Sequence, residues 1–479
     1  QATSLAALWR YFLGHHGVAA LRSAPLATSG LAPGHAPTMA DGSAVRGREL
    51  FDMPPDYSIW TIPVHRALSG ELLAEVLLSP TDQVHRLKQV VAKKAGVEVV
   101  RVKLLSSSQL LQDTATLVSA GISNGGAVNF VLARPGGLVL TSSADGSAKV
   151  WRVEDGECLH TLAGHDYMVS SAAFSADGSS VVTASLDGTA KLWRLADGEC
   201  VHTLDGCDYQ VVSASFSPDG SKVVTAPLDE TAKIWCAKRG VCLHSLAGHR
   251  DVVLTAKFAP DGTSIITRSA DGTAKHWRVE DGSCLQTLLC GGSDAKLAAF
   301  SPDGLGLLTS GVGQTAQIWR RTRSASEHSG FAVAKTLVGH GSEVSCGAYS
   351  PDGDLVATGA IDGVAQLWSS AGDGPCLHSL VGHGGEVKAI AFSPDSQLLA
   401  TVSADGTAKL WRVEDGACLH TLSGDSDHSL LSLAFSPDGS LLLTACGGGG
   451  VCLWRTEDGS LFQMLAGHDG SVLSATFSP

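Results

Sequence analysis

Serine, histidine and aspartate recur together in this sequence of 479 residues. His165 is followed 20 residues later by Ser185 and 22 residues later by Asp187, and these residue types form the nucleophile, base and orienting acid of hydrolase triads. The same types return in order at His249, Ser269 and Asp271 and at His383, Ser403 and Asp405. A nucleophile needs one strained and exposed position, whereas these sets recur at a regular interval. The repetition therefore indicates a structural role, and we expect no catalytic residue among them.

A tryptophan lies near the end of each copy of the segment that carries these residues. The copies are similar to residues 181–202, VVTASLDGTAKLWRLADGECVH. Their tryptophans are Trp151, Trp193, Trp235, Trp277, Trp319, Trp368, Trp411 and Trp454. The spacings between them are 42, 42, 42, 42, 49, 43 and 43 residues. A period of this length, with Gly-His before the unit, is typical of a four-stranded propeller blade.

On these residues, the segment 135–479 resembles the WD-repeat β-propellers. The resemblance implies eight blades, with inner, second, third and outer strands at residues 169–174, 181–185, 190–193 and 200–204 in one of them. In that family a histidine, a Ser or Thr, an aspartate and the tryptophan form a hydrogen-bonded tetrad. The sets that match in full are His165, Ser185, Asp187 and Trp193; His249, Ser269, Asp271 and Trp277; and His383, Ser403, Asp405 and Trp411.

Four units depart from this pattern. The departures are Cys207 and Pro227, Gly311 and Gly313, Cys446 and Gly448, and Ala360 in the unit of His340, Asp362 and Trp368.

The repeat begins at residue 138 with a second strand and ends at residues 471–477 with an inner strand. We expect these ends to form one blade, in which His468 faces Ser143, Asp145 and Trp151. The rival explanation is a chain cut after Pro479.

Residues 58–134 follow a different pattern. Strands are expected at residues 58–64, 71–78, 100–105 and 127–132. A helix is expected from residue 84, because Val84, Leu87 and Val91 share one helical face. This order, together with the sequence RPGG at residues 134–137, resembles ubiquitin. The resemblance implies a small α+β ubiquitin-like (β-grasp) domain before the propeller.

The same resemblance places candidate binding residues in this domain. Leu105 and Val131 fall where ubiquitin has two members of its partner-binding apolar patch. Asn129 stands where the family has a histidine, and Gln109 stands where ubiquitin has its main chain-linking lysine. The resemblance therefore implies protein docking at Leu105 and Val131, and no polymer building through position 109.

Charge and cysteine content limit the classes of partner. Residues 135–479 hold 22 of the 34 Lys and Arg residues and 38 of the 47 Asp and Glu residues; this net charge of −16 argues against nucleic acid. Six cysteines occupy one slot of different units, where we expect reduced, partly apolar core residues. They are Cys158, Cys200, Cys242, Cys284, Cys376 and Cys418. No Cys-x-x-Cys pair occurs, so neither a metal nor a cofactor is predicted, and no segment is long and apolar enough for a membrane span.

Residues 1–57 are expected to form a disordered leader. Residues 1–40 contain no Asp or Glu and are rich in Ala, Ser, Gly and Pro, a composition typical of an organelle transit peptide. The alternative is non-native sequence before Met39. We expect the protein in the cytoplasm, with the nucleus as the alternative, and in an organelle only if residues 1–40 are a genuine transit peptide.

WD-repeat propellers usually dock proteins on their top face, and the resemblance identifies the top-face positions of three successive units. These positions are Tyr167, Met168, Leu186, Tyr209, Val212, Leu228, Val252 and Leu254. An apolar and aromatic sector of this kind predicts a protein-docking surface. The alternative is that these side chains pack against neighbouring loops.

The sequence as a whole predicts a mainly β, non-enzymatic scaffold for protein–protein interaction. Its eight-bladed propeller would dock a client protein or peptide, its ubiquitin-like domain would dock a second partner, and the propeller would be monomeric within a larger complex. Two alternatives share this architecture. One is a substrate adaptor for a ubiquitin ligase, and the other is a large-subunit ribosome assembly factor similar to the notchless family.

Overall fold

The computed structural model of the chain contains two compact units, within residues 60–132 and 137–479. The structure describes residues 60–66, 72–80, 82, 84–95, 102–106, 109–110, 116–120, 122–124, 126–132, 137–206, 209–290, 297–322, 330–372, 374–424 and 428–479. The leader predicted at residues 1–57 lies outside the described residues. Among the described residues, no helix is long and apolar enough to span a membrane.

The described residues of the smaller unit form a five-stranded sheet with one helix. Its elements are β1 (Trp60–Arg66), β2 (Leu72–Leu78), α1 (Val84–Ala95), β3 (Val102–Ser106), β4 (Gln109–Leu110) and β5 (Val128–Leu132). The sheet order is β2-β1-β5-β3-β4, with β1 parallel to β5. Val84, Leu87 and Val91 of α1 are fully buried in one core with Ile62 and Val128, and each stabilises the unit by about 2 kcal/mol. The strand and helix order is the predicted one, with β4 in addition.

The larger unit contains eight four-stranded antiparallel sheets among its described residues. Sheet 1 has β6 (Leu138–Ser143), β7 (Ser147–Arg152), β8 (Cys158–Ala163) and, as its first strand, β37 (Val472–Phe477). Sheet 2 has β9 (Val169–Phe174), β10 (Ser180–Ser185), β11 (Ala190–Arg194) and β12 (Cys200–Leu204). Sheet 3 has β13 (Val211–Phe216), β14 (Lys222–Pro227), β15 (Thr231–Cys236) and β16 (Val241–Ala247). Sheet 4 has β17 (Val253–Phe258), β18 (Ser264–Ser269), β19 (Thr273–Arg278) and β20 (Cys284–Leu289).

The other four sheets follow in chain order. Sheet 5 has β21 (Ala298–Phe300), β22 (Gly306–Ser310), β23 (Thr315–Arg321) and β24 (Phe331–Val338). Sheet 6 has β25 (Val344–Tyr349), β26 (Leu355–Ala360), β27 (Ala365–Ser369) and β28 (His378–Leu380). Sheet 7 has β29 (Val387–Phe392), β30 (Leu398–Ser403), β31 (Thr407–Arg412) and β32 (Cys418–Ser423). Sheet 8 has β33 (Leu430–Phe435), β34 (Leu441–Cys446), β35 (Val451–Arg455) and β36 (Leu461–Leu465).

Sheet 1 joins the two ends of the repeat. Strand β37 pairs with β6 antiparallel, with Val472 opposite Ser143 and Phe477 opposite Val139. The main chain continues this pairing beyond the strand, since Ser478 N donates to Leu138 O at 2.8 Å. The pairing is the one expected from the complementary ends of the repeat.

The hydrophobic core lies between successive sheets. Each interface buries one tryptophan of the later sheet against the preceding sheet; Trp193, for example, packs with Leu140 and Val150 of sheet 1. Sheets 8 and 1 share such a core as well, with Trp151 packed against Leu453. Residues in or beside the first strands of all eight sheets also line one cavity of about 390 Å³. Two sheets share each of these cores, and the second strand of a sheet is consequently buried over nearly its whole length, as in β6, β10, β14 and β18.

The short connections place the histidines and aspartates of the repeat at one edge of the sheets. The turn between second and third strands and the loop that leaves the fourth strand both lie at this edge, which we call the upper edge. Asp-Gly pairs form most of the turns; Gly188, for example, has φ +90°, a backbone conformation that glycine adopts without a steric penalty. The upper edge therefore brings each histidine close to the aspartate of the next sheet along the chain.

Candidate functional site

A chain of hydrogen bonds joins histidine, threonine, aspartate and tryptophan in sheet 2. The Nδ1 of His165 lies 2.8 Å from the Asp187 carboxylate, and its Nε2 lies 2.7 Å from Thr183 Oγ1. The indole N–H of Trp193 donates to the same Thr183 oxygen at 2.9 Å. The network assigns a neutral ring whose Nδ1–H donates to the carboxylate while Nε2 accepts from the threonine. Every buried polar atom of the cluster then has a partner.

The hydroxyl of this cluster belongs to Thr183 and not to Ser185, the residue that the sequence analysis selected. Ser185 Oγ instead donates to Tyr167 O at 3.0 Å and accepts from Asp187 N–H at 3.1 Å. The register explains the difference, because Trp193 lies opposite Val181 and its indole reaches the diagonal neighbour two residues along. Ser185 is two residues further away, about 7 Å along the strand.

The same correction applies to the other complete sets. Histidine Nε2 to threonine Oγ1 distances are 2.7 Å for His249–Thr267, 2.7 Å for His383–Thr401 and 2.8 Å for His468–Thr141. Histidine Nδ1 to carboxylate distances are 3.0 Å for His249–Asp271, 3.1 Å for His383–Asp405 and 2.7 Å for His468–Asp145. Ser269, Ser403 and Ser143 accept from the aspartate main chain and donate to a main-chain carbonyl, as Ser185 does.

Sheet 6 departs from the pattern in a different way from the one predicted. Ala360 occupies the Ser185 slot, so no tetrad hydroxyl is lost, and His340 Nε2 lies 2.7 Å from Thr358 Oγ1. The missing link is the one to aspartate: His340 Nδ1 is buried and has no hydrogen-bond partner among the described residues. Burial consequently lowers the pKa of His340 to about 4.

The threonine–tryptophan half of the cluster occurs in all eight sheets. Sheets 3, 5 and 8 keep it at 2.9 Å in Trp235–Thr225, Trp319–Thr309 and Trp454–Thr444. Pro227, Gly311 and Cys446 replace the Ser185 equivalent in these sheets, so they do not remove the tetrad hydroxyl. Among the described residues, no histidine–aspartate pair forms in these three sheets, although sheet 3 keeps Asp229 at the aspartate position, where it accepts hydrogen bonds from Thr231.

The side chains of these clusters are largely closed to solvent. The His165 side chain is 0% exposed and the Asp187 side chain 9%, and Thr183 is fully buried. Burial lowers the pKa of His165, although its hydrogen bond to Asp187 acts in the opposite direction. Burial raises the pKa of Asp187, but hydrogen bonds from Thr189 and His165 outweigh that effect and lower it overall. A neutral ring beside an ionised carboxylate, both closed to substrate, stabilises the sheet.

Histidines on the outer strands link successive sheets, a role that the sequence analysis missed. The Nε2–H of His202 donates to Lys238 O at 3.0 Å, and that of His244 donates to Glu280 O at 3.0 Å. Equivalent bonds join His378 to Glu414 O at 3.0 Å and His420 to Glu457 O at 3.3 Å. In sheet 5, Lys335 takes this slot and donates to Ser369 O at 3.2 Å. The sequence signal for this role is the histidine that recurs in the Cys-Leu-His segment.

The cysteines of that segment are not core residues, contrary to expectation. Cys158, Cys200, Cys242, Cys284 and Cys418 are exposed free thiols, and Cys376 is half-buried. They lie near the start of an outer strand, where no further strand covers them. No group of three or more His, Cys, Asp or Glu residues suited to a metal ion occurs in the described part of the chain.

The residues predicted to dock a partner differ widely in exposure. Tyr167 and Tyr209 protrude from the loops before sheets 2 and 3, with exposed fractions of 66% and 52%. Met168, Leu186, Val252 and Leu254 are half-buried. Val212 and Leu228 are buried in the core between sheets 3 and 4, so they offer little surface to a partner. Val212 and Leu228 therefore pack against neighbouring residues, which is the alternative given above for the whole set.

The docking residues predicted in the smaller unit lie on two of its strands. Leu105 of β3 is opposite Asn129 of β5, and Lys103 of β3 is opposite Val131 of β5. The side chains of Leu105 and Val131 lie outside the described part of the structure. The docking prediction for this unit therefore stays a prediction.

Comparison with known proteins assigns both units to families. The model of the WD domain, G-beta repeat, matches residues 156–194, 198–236, 240–278, 332–369, 374–412 and 416–455. The model of the ubiquitin family matches residues 70–135. No curated protein matches the chain. The chain is therefore a WD-repeat protein with a ubiquitin-family domain N-terminal to the repeats.

Six matched repeats and eight sheets are compatible. The matches omit residues 279–331, where Gly311 and Gly313 replace repeat residues and where an insertion follows Trp319. They also omit residues 138–155 and 456–479, which contribute β6, β7 and β37 of sheet 1. Because the strands of sheet 1 lie at opposite ends of the sequence, a family model of one continuous repeat does not match them as a unit.

Proposed function

We propose that this protein is a non-enzymatic scaffold that docks one protein on the upper edges of its WD-repeat sheets and a second protein on its ubiquitin-like domain. Repeats of this class and ubiquitin-like domains generally bind proteins. The buried histidine clusters hold the sheets together, which leaves the loops at the upper edge to carry recognition. We further propose that it acts as a monomer within a larger complex in the cytoplasm.

The eight sheets are proposed to be the blades of one closed propeller. Three observations support a ring: the shared core of sheets 8 and 1, the pairing of β37 with β6, and a cavity lined by all eight first strands. Closure would give every blade two neighbours. Such a ring would hold the eight upper edges at fixed positions on one face.

The observation that carries the docking proposal is the pair of exposed tyrosines. Tyr167 and Tyr209 occupy the same slot, two residues after the histidine position, in the loops before sheets 2 and 3. The corresponding residues in the units of His249, His383 and His468 are Asp251, Gly385 and Gly470. Tyrosine is enriched in protein interfaces, because it combines a large apolar ring with a hydrogen-bonding hydroxyl. Two of them on adjacent loops therefore favour a protein-docking surface here.

The test compares affinity captures from native extract. The full chain is used as bait beside a Tyr167→Glu/Tyr209→Glu variant and a control, Leu305→Glu. Leu305 is similarly exposed, at 48%, but lies on the turn between β21 and β22, away from the upper edge. Both tyrosines are outside the core, so the variants should keep the melting temperature within a few degrees.

The proposal predicts specific proteins that are lost from the double tyrosine variant and retained by Leu305→Glu. Val212 is left unchanged in this test, since a charge at that buried position would unfold the sheet. Retention of the same proteins by all three baits would overturn docking at the tyrosines. The identities of the captured proteins would show whether a ubiquitin ligase or a ribosome precursor is the setting.

A further inference from the structure

A lysine of sheet 4 lines the cavity between the first strands of the eight sheets. Lys257 lies on β17, directly before the aromatic residue that ends the strand. The residues at the same position of the other first strands are Ala173, Ser215, Ala299, Ala348, Ala391, Ala434 and Thr476. All of these side chains are small and uncharged, so Lys257 alone extends a charged group at this level of the first strands.

The ammonium group of Lys257 has no hydrogen-bond or ion-pair partner among the described residues. Burial lowers the pKa of Lys257, and no described carboxylate lies close enough to offset this effect. The side chain is nevertheless exposed, because it faces the solvent of the cavity while protein surrounds it. A charge that leaves bulk water without a partner costs free energy. An anion in the cavity would offset this cost.

The other charged residues of the cavity wall neutralise each other. Glu386 and Lys388 line the cavity as well, and Lys388 Nζ donates to the Glu386 carboxylate at 2.5 Å. Their side chains are only 18% and 16% exposed, so the pair is partly shielded from solvent and adds no net charge. The described wall therefore carries one net positive charge, that of Lys257, in a protein whose net charge is −13.

The rest of the cavity wall combines hydroxyl groups with aliphatic side chains. Thr255 lies two residues before Lys257 and therefore on the same face of β17, and Ser213 is its counterpart in sheet 3. Neither hydroxyl forms a hydrogen bond within the described residues, so both remain available as donors. Leu254 and Leu297 add apolar surface. The volume of about 390 Å³ lies at the lower end of the range of about 300–1,000 Å³ that is typical of small-molecule sites.

We propose that Lys257 binds the carboxylate of a ligand with a short aliphatic body in this cavity. One ammonium group balances the single charge of a carboxylate, whereas a phosphate group would bring additional negative charge that the described wall does not balance. The leucines favour the aliphatic body. Two sources supply this chemistry: a free organic acid and the C-terminal carboxylate of a partner's peptide chain. The cavity is separate from the tyrosine pair, and the proposal does not rest on docking there.

The test measures binding of trifluorobutyrate to the full chain by fluorine NMR at constant ionic strength. Its neutral amide controls for the aliphatic body, and inorganic phosphate controls for charge alone. A short leucine-ended peptide with a fluorophore is compared by polarisation as the free acid and as the C-terminal amide, which separates the two sources. The variant is Lys257→Met, which keeps the length of the side chain and removes its charge. The matched control is Lys409→Met, because Lys409 donates to Thr421 on the outer strand of sheet 7.

Trifluorobutyrate should bind the wild-type chain and Lys409→Met equally, and it should bind Lys257→Met about tenfold more weakly, since a hydrogen bond between charged groups is lost. The bound acid should also protect Lys257, but not Lys409, from trace acetylation measured by mass spectrometry. Lys257→Met should keep or raise the melting temperature, because it removes an unpaired charge. Binding of trifluorobutyrate supports a free acid as the source, and binding of the free-acid peptide but not of its amide supports a partner's chain end.

Three results would overturn the proposal. The first is equal binding of the carboxylate ligands to the wild-type chain and to Lys257→Met. The second is binding of the neutral amides as tight as that of the acids, or tighter binding of inorganic phosphate. The third is a wild-type chain that binds neither trifluorobutyrate nor the free-acid peptide.

Discussion

Replacement of Thr183 by valine tests which hydroxyl holds a sheet together. Valine keeps the shape of threonine, so the substitution leaves no cavity and removes only the oxygen. The Trp193 indole N–H at 2.9 Å and the His165 Nε2 at 2.7 Å both lose their partner, and both side chains are buried. A buried unsatisfied group costs about 1–3 kcal/mol, so we expect a loss of about 3 kcal/mol.

Two matched variants isolate the parts of this loss. Thr225→Val removes the acceptor of Trp235 in sheet 3, where the described residues include no histidine partner, and should cost about half as much. Ser185→Ala removes bonds to the main chain only and should cost about 1 kcal/mol. The assays are the urea midpoint and hydrogen exchange of β10 and β11, because an array of sheets can open locally before it unfolds. An equal loss from Ser185→Ala and Thr183→Val, or from Thr225→Val and Thr183→Val, would contradict the assignment of the linking hydroxyl to Thr183.

Three further predictions concern sheet interiors and the links between sheets. His276→Leu should stabilise the protein and reduce its loss of stability in acid. Burial lowers the pKa of His276 from 6.5 to about 4, so the unfolded chain takes up the proton first and the free energy of unfolding falls by about 2 kcal/mol between pH 8 and pH 5. Denaturant titrations of both proteins at the two pH values would measure this difference. Gly240→Ala should lower the free energy of unfolding by about 1 kcal/mol more than Gly220→Ala. Both glycines have φ near +65°, but only at Gly240 would a new Cβ lie 2.8 Å from the His202 ring. Equal melting temperatures of the two variants would contradict this. Deletion of residues 472–479 should expose the core between sheets 8 and 1 and lower the first thermal transition markedly; an unchanged transition would mean that β37 does not stabilise sheet 1.

Much of the candidate site follows from periodicity. The 42-residue spacing and the Gly-His and Asp-Gly pairs predict the strands of sheet 2 to within a residue or two, because side-chain alternation and turn residues act locally. The resemblance to WD-repeat proteins implies the pairing of histidine with aspartate, which forms at His165, His249, His383 and His468. Ser185 was selected over Thr183 because sequence spacing does not show on which diagonal the Trp193 indole lies.

The exposures of single side chains could not be predicted in the same way. Val212 and Tyr209 are three residues apart and both apolar enough to dock a partner, yet Val212 faces sheet 4 while Tyr209 faces solvent. Cys200 lies in a segment with apolar neighbours, but the outer strand has no strand beyond it to cover the thiol. Burial depends on which surfaces meet across the sheets, and a repeat pattern carries no information on that.

The sequence by itself determined the class of protein: repeating units with a tryptophan core, a ubiquitin-family domain before them, and complementary ends that belong to one sheet. These properties depend on hydrophobic periodicity and turn chemistry, which act over a few residues. Only the tertiary structure decided that Thr183 links histidine to tryptophan and that His202 links one sheet to the next. Each of these depends on the distance between atoms of different strands or sheets, which is fixed when the sheets pack.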